Sequence, residues 1–191
     1  MGANMILTIG AVLLFGTFLS ITNKLMIGNN QIASQNEYYI TGISLAQSII
    51  DEAKTKSFDQ KTVSGSVSSR SSLTSPDSLG RDGLSEQSVP VVDTLTAAVP
   101  YSTSGKGYLS SVRFNDIDDY KGYSRIVNTP RSEGYKLRVT IGYVSETCPD
   151  SSSASKTYAK KMIVKVTSPF FPKLGENGGP DTLSISYGFT Y

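Results

Sequence analysis

Residues 5–58 read MILTIGAVLLFGTFLSITNKLMIGNNQIASQNEYYITGISLAQSIIDEAKTKSF, and the fold turns on how this stretch divides. Met5 to Ile21 is apolar apart from small Thr, Ser and Gly residues, and no charged side chain occurs before Lys24. A helix crosses the hydrocarbon core of a bilayer in about 20 residues. A soluble core helix is rarely apolar on every face for so long, so the segment predicts a membrane-competent helix. A cleaved secretion signal needs a basic start and a small-residue cleavage site, whereas MGANM has no Lys or Arg and FLSITNKL has no A-x-A pattern. Lys24 alone is too little to orient the segment by the positive-inside bias. The helical pattern runs on past the apolar stretch: Ile21, Leu25, Ile32, Tyr39, Ile43, Ala46, Ile50 and Ala53 recur at steps of mostly three, four or seven, forming one stripe. No proline precedes Pro76. A single helix from Met5 to Ser57 would be about 80 Å long at a rise of about 1.5 Å per residue. Gly10, Gly16, Gly28 and Gly42 each weaken such a helix by about 1 kcal/mol relative to Ala. They mark either local kinks or places where another backbone approaches closely.

Beyond Phe58 the composition shifts. Residues 61–88, KTVSGSVSSRSSLTSPDSLGRDGLSEQS, are rich in Ser and Gly and predict a long connection that packs over a sheet or contacts a neighbouring molecule. Three later segments alternate with the period of a half-buried strand. In Tyr135–Tyr143 the set Tyr135, Leu137, Val139, Ile141 and Tyr143 faces a core. In Lys160–Thr167 that set is Met162, Val164 and Val166, and toward the end it is Leu183, Ile185, Tyr187, Phe189 and Tyr191. Turn-rich connections at Glu146–Thr157 and Ser168–Asp181 suit an antiparallel meander. A further short strand is expected within Val89–Val99, demoted to an edge by Pro90. Such a sheet has one apolar face to cover, and the later half of the helix supplies the cover through Ala46, Ile49, Ile50, Ala53 and Phe58. The expected fold is α+β, a long N-terminal helix packed on a C-terminal antiparallel sheet. It divides into an apolar transmembrane or filament-core helix (residues 1–28), its amphipathic continuation (29–58) and an extracytoplasmic sheet domain (59–191).

The 191 residues hold 18 Lys and Arg against 16 Asp and Glu, a net charge of +2, so no nucleic-acid partner and no phosphate-seeking surface is expected. Histidine is absent, which removes the side chain most used for proton transfer near neutral pH and the commonest metal ligand. With no G-x-S-x-G motif either, the chain does not read as an enzyme. Cys148 is the only cysteine and reads as a lone thiol. The acidic run Asp116, Asp118 and Asp119 offers the oxygen ligands that calcium prefers, but Tyr120 and Lys121 stand where an EF-hand loop needs an acceptor and a glycine. The favoured reading is a solvated turn with the acids near Lys121 and Arg125, calcium being the alternative; no other cofactor is implied.

An apolar N-terminal helix that continues as an amphipathic one, then a loop, then an antiparallel sheet, resembles the type IV pilins and the pseudopilins of type II secretion along the whole chain. Two stretches add to the likeness. SLAQSIIDEAKTKSF (Ser44–Phe58) looks like the end of the long helix in minor pilins and pseudopilins, and FNDIDDYKGYSR (Phe114–Arg125) resembles an acidic segment of related prepilin-like proteins. In that family a peptidase trims a basic leader after a glycine, and a glutamate sits five residues into the mature chain. Here Gly2 is the only early glycine, a cut after it would put Leu7 fifth, and no carboxylate precedes Glu37. The resemblance implies a structural subunit that waits in the inner membrane among assembly machinery and then joins like copies and other pilin-like subunits in a helical extracellular filament or periplasmic pseudopilus. Such filaments serve motility, adhesion, secretion or DNA uptake, and the sequence does not choose among these. Ile6, Ile9, Leu13, Leu14, Phe15, Phe18, Ile21 and Leu25 would pack its core. The alternative is a single-pass, membrane-anchored extracytoplasmic domain that binds a partner as a monomer.

Overall fold

In a computed structural model, residues 2–90, 109–173 and 178–191 are described. Helix α1 (Gly2–Ala53) is followed by a single turn of helix, α2 (Gln60–Val63), and a two-stranded ladder of β1 (Val89–Pro90) and β2 (Leu109–Ser110). A four-stranded sheet then comprises β3 (Ser124–Val127), β4 (Tyr135–Tyr143), β5 (Ala159–Thr167) and β6 (Thr182–Thr190). Its order is β3-β4-β5-β6, every pair antiparallel, so each strand lies beside its neighbour in sequence. The architecture is α+β, with the long N-terminal helix packed on the antiparallel sheet. Two compact units divide the chain, Met1–Tyr38 and Tyr39–Tyr191.

The second unit holds the core. Along β4 burial alternates as the sequence predicts, with Tyr135, Leu137, Val139, Ile141 and Tyr143 buried and Lys136, Arg138 and Thr140 exposed. Met162, Val164 and Val166 continue that buried face onto β5, and Phe189 onto β6. Against it lie Ala46, Ile49, Ile50 and Ala53 of α1 together with Phe58, the set expected to cover the sheet. The stripe differs from expectation at one step. Ile43 is 44% exposed, and Gly42 is buried in its place. A Cβ at Gly42 would lie 2.9 Å from Phe171 Cζ and 3.4 Å from Leu183 Cδ2, so helix and sheet meet closely because this position has no side chain. Phe171 is itself fixed, stacked on Tyr39 with ring centroids 4.6 Å apart. Tyr39 Oη also donates to Asp181 Oδ2 at 2.7 Å.

Residues 61–88 pack over their own domain. Asp59 caps α2 by accepting from Lys61 N, while Thr62 Oγ1 accepts from Asp59 N, a reciprocal capping box. Leu73 and Leu79 are buried, and Tyr143 Oη donates to Thr74 O at 2.8 Å. Strand β3 was not evident in the sequence because four residues, SRIV, are too short to show alternation. The strand expected within Val89–Val99 is present at Val89–Pro90, and residues 91–99 lie outside those described.

The close approach at Gly42 yields a prediction. Gly42→Val should lower unfolding free energy by about 1–3 kcal/mol, the usual cost of overpacking a filled site. Denaturant unfolding of the full chain, followed by tyrosine fluorescence, measures it, and an unchanged midpoint would count against this contact.

Candidate functional site: an exposed apolar helix and a buried charge cluster

The residues proposed to pack a filament core all lie on α1 within the first unit. From Met5 to Ile32 the large aliphatic, Met and Phe side chains, among them Ile6, Ile9, Leu13, Leu14, Phe15, Phe18, Ile21 and Leu25, are 46–74% exposed. A window of 18 residues in this helix is apolar enough to cross a membrane, and none of it is buried. Three threonine hydroxyls in this stretch are turned to backbone acceptors. Thr8 Oγ1 donates to Asn4 O at 2.8 Å, Thr17 Oγ1 to Leu14 O at 2.9 Å and Thr22 Oγ1 to Phe18 O at 2.9 Å. A hydroxyl satisfied within its own helix can enter lipid or a helix–helix contact without an orphaned donor. Among the described residues, and apart from the helix's own backbone and the adjoining residues, no atom lies within 4 Å of a Cβ built on Gly2, Gly10, Gly16 or Gly28, in contrast to Gly42.

The acidic run is buried, which corrects the expectation of a solvated turn. Asp116, Asp118 and Asp119 are each 1% exposed. Lys160 Nζ, fully buried on β5, donates to Asp118 Oδ1 at 2.6 Å, to Asp59 Oδ2 at 2.8 Å and to Phe58 O at 2.9 Å. Asp119 folds back on the chain, its Oδ2 accepting from Asn115 N at 2.9 Å, while Asp116 Oδ1 accepts from Asp119 N at 3.1 Å. Both bonds tie the short 3-10 turn Asp118–Tyr120 to the chain that precedes it. Neither Lys121 nor Arg125 forms an ion pair with the run among the described residues. Three carboxyls serving three different donors do not converge on one point, and among the described residues no group of three or more His, Cys, Asp or Glu side chains is placed to hold a metal ion. Cys148 is exposed and free.

No family model, curated protein or solved structure matches this chain. Its chemistry therefore rests on the residues themselves. The charge cluster pairs Asp59 and Asp118 with one ammonium and has Asp116 and Asp119 beside them, and the four carboxyls titrate unequally. Burial pushes Asp59 up, but Lys160 and the hydrogen bonds from Thr74 and Lys61 outweigh it and hold this carboxyl down at about 2. Asp118 shares the same ammonium but has fewer donors, and its Oδ2 is buried without a hydrogen-bond partner, so burial drives it upward. Burial, reinforced by Asp118 and Asp119, raises Asp116 to about 8, and burial raises Asp119 to about 6. Asp59 gave no signal in the sequence, but Lys160 did: it has the same parity on β5 as Met162, Val164 and Val166, so alternation alone sets it on the core face, and what the sequence does not show is its partners, 101 and 42 residues away.

Linkage fixes the sign of the pH response. The raised carboxyls bind protons more tightly folded than unfolded, so their contribution is complete below about 3.8 and is lost as pH climbs through their folded values. Asp59 acts in reverse, its contribution being present above about 3.8 and lost on acidification toward about 2. Stability of the sheet domain should therefore peak at about pH 4 and fall toward pH 9. Asp116→Asn, whose amide oxygen keeps the bond from Asp119 N, should flatten that fall. Lys160→Met should cost about 3–5 kcal/mol by leaving buried carboxylates unpaired. Urea unfolding of the full chain at a series of pH values tests both, and a stability that rises toward pH 9 would contradict the assignment.

Proposed function

We propose that this protein is a structural subunit that polymerises through its N-terminal helix into a type IV pilus-like filament or pseudopilus. The observation that carries the reading is the apolar surface of α1, uncharged from Gly2 to Asn23 and exposed along its length. A contiguous apolar surface of this size calls for lipid or protein around it. Lipid and neighbouring helices are close to equivalent surroundings for such side chains, so the helix can pass from one to the other at little hydrophobic cost. The glycines and self-satisfied threonines support close packing of equivalent helices. A head-to-tail contact that does not close on itself builds an open helical fibre from a single kind of subunit. On this reading the chain is held first in the inner membrane and later extracted into an extracellular or periplasmic polymer, and it has no catalytic role.

The candidate membrane span equally favours a second reading, a permanent single-pass anchor for an extracytoplasmic binding domain. The two part on assembly. In cells producing the full chain, filaments sheared from the surface should contain it by electron microscopy and N-terminal mass spectrometry. Leu14→Asp or Phe15→Asp should abolish them, because a carboxylate in a helix-packed core is uncompensated. Filaments at normal abundance from either variant would refute the helix-core model, and a monomer confined to the membrane fraction would establish the anchor.

A further inference from the structure

The small net charge hides an uneven distribution. Strands β3–β6 carry Arg125, Lys136, Arg138, Lys160, Lys161 and Lys165 and no acidic residue at all. Lys160 is engaged inside the core, and Lys161 is held by Asp150 at 2.6 Å. Lys136, Arg138 and Lys165 are exposed on the outward face of the sheet, and among the described residues none of them pairs with a carboxylate. The register sets Arg138 directly opposite Lys165, with Lys136 two residues along the same face. Like charges facing each other across a ladder destabilise it. Lys161 has an acid beside it to relieve its charge, and this trio has none.

The same region of the sheet carries an open hollow of about 420 Å³, lined by Arg125, Lys136, Arg138 and Lys165, by the hydroxyl-bearing Ser124, Thr167 and Thr182, and by Ile126 and Leu137. Ligand sites commonly measure about 300–1,000 Å³. Arg138 faces Ser124 on one side and Lys165 on the other, while Thr167 lies between Lys136 and Thr182. Guanidinium and ammonium groups only donate hydrogen bonds, and hydroxyls can donate. The outward-facing Lys136, Arg138 and Lys165, with Arg125 also in the lining, and three hydroxyls suit a compact polyvalent acceptor, and the planar fork of an arginine matches the oxygens of such a group. A cation would be repelled, and an apolar ligand would strand the charges. We propose that this hollow binds a phosphate or sulfate group, which also supplies the counter-charge that the Arg138–Lys165 pair lacks. The proposal does not depend on the filament reading.

The test uses the full chain in a neutral detergent, titrated with inorganic phosphate or sulfate at constant ionic strength against chloride and followed by backbone amide NMR. Saturable shifts should be confined to the strand residues around Ser124, Lys136, Arg138 and Lys165. Arg138→Gln and Lys165→Gln should each weaken binding by roughly tenfold to a hundredfold, the loss expected for a charge-assisted hydrogen bond. Both variants should also raise the thermal midpoint of the anion-free protein, since they remove the facing like charges; Lys161→Gln should leave binding unchanged. A parallel titration with glycerol 3-phosphate separates the two sources of the group: tighter binding of the ester identifies a phosphate carried on a larger molecule, and tighter binding of the inorganic ion identifies free anion. Shifts that chloride reproduces, or that survive in Arg138→Gln and Lys165→Gln unchanged, would overturn the proposal.

Discussion

The buried ammonium of Lys160 is the interaction on which the sheet domain depends. It ties β5 to Phe58 and Asp59, which follow α1, and to Asp118 in the 3-10 turn. Desolvating a lysine costs several kcal/mol, and only well-placed partners offset it. Here the partners come from segments far apart in sequence, so the ion cluster forms only when the domain has its final topology. Asp59 adds to this by capping α2 and by accepting from Thr74 N and Tyr143 Oη, which fixes the start of the long connection against β4. A hydrophobic replacement can fill the same space, but it lacks the directional partners that favour this arrangement of the segments.

Polar and apolar burial are distributed in an unusual way. The sheet domain buries charged groups, while α1 leaves its most hydrophobic surface uncovered. The contrast follows from what each part of the helix meets. From Gly42 to Ala53 the buried positions are small or β-branched and a sheet lies against them; from Met5 to Ile32 the large apolar side chains are exposed. The hydrophobic effect that stabilises the domain therefore acts in the first unit as a drive toward other molecules or lipid.

Strong periodicity made the main elements legible in the sequence. The alternation in β4 and β5 and the apolar run of α1 read directly, because the period of each matches burial on one face or on none. Less visible were features set by distant partners. Ser124–Val127 is too short to show a pattern, and its identity as a strand comes from pairing with β4. The stripe on α1 pointed to Ile43, whereas close contact with Phe171 and Leu183 selects Gly42, one residue earlier. The acids at 116–119 looked solvated because nearby Lys121 and Arg125 could serve them, yet Asp118 is paired with a lysine on another strand. Local sequence carries propensity and period; the location of a buried charge is a property of the tertiary fold.

The meeting of Gly42 with Leu183 also orders events during synthesis. The helix that must be covered is made early, and the strand that completes its cover is near the opposite end of the sequence. Until β6 emerges, Gly42 and its neighbours lack part of their surroundings, and contacts of such wide sequence separation form slowly. A nascent chain in this state exposes an apolar face during the whole passage of the sheet through the ribosome, which is when aggregation threatens most. Early insertion of the preceding apolar helix into a bilayer would tether each chain apart from its siblings during that interval, so the same segment would act as a chaperone of its own domain before it acts in anything else.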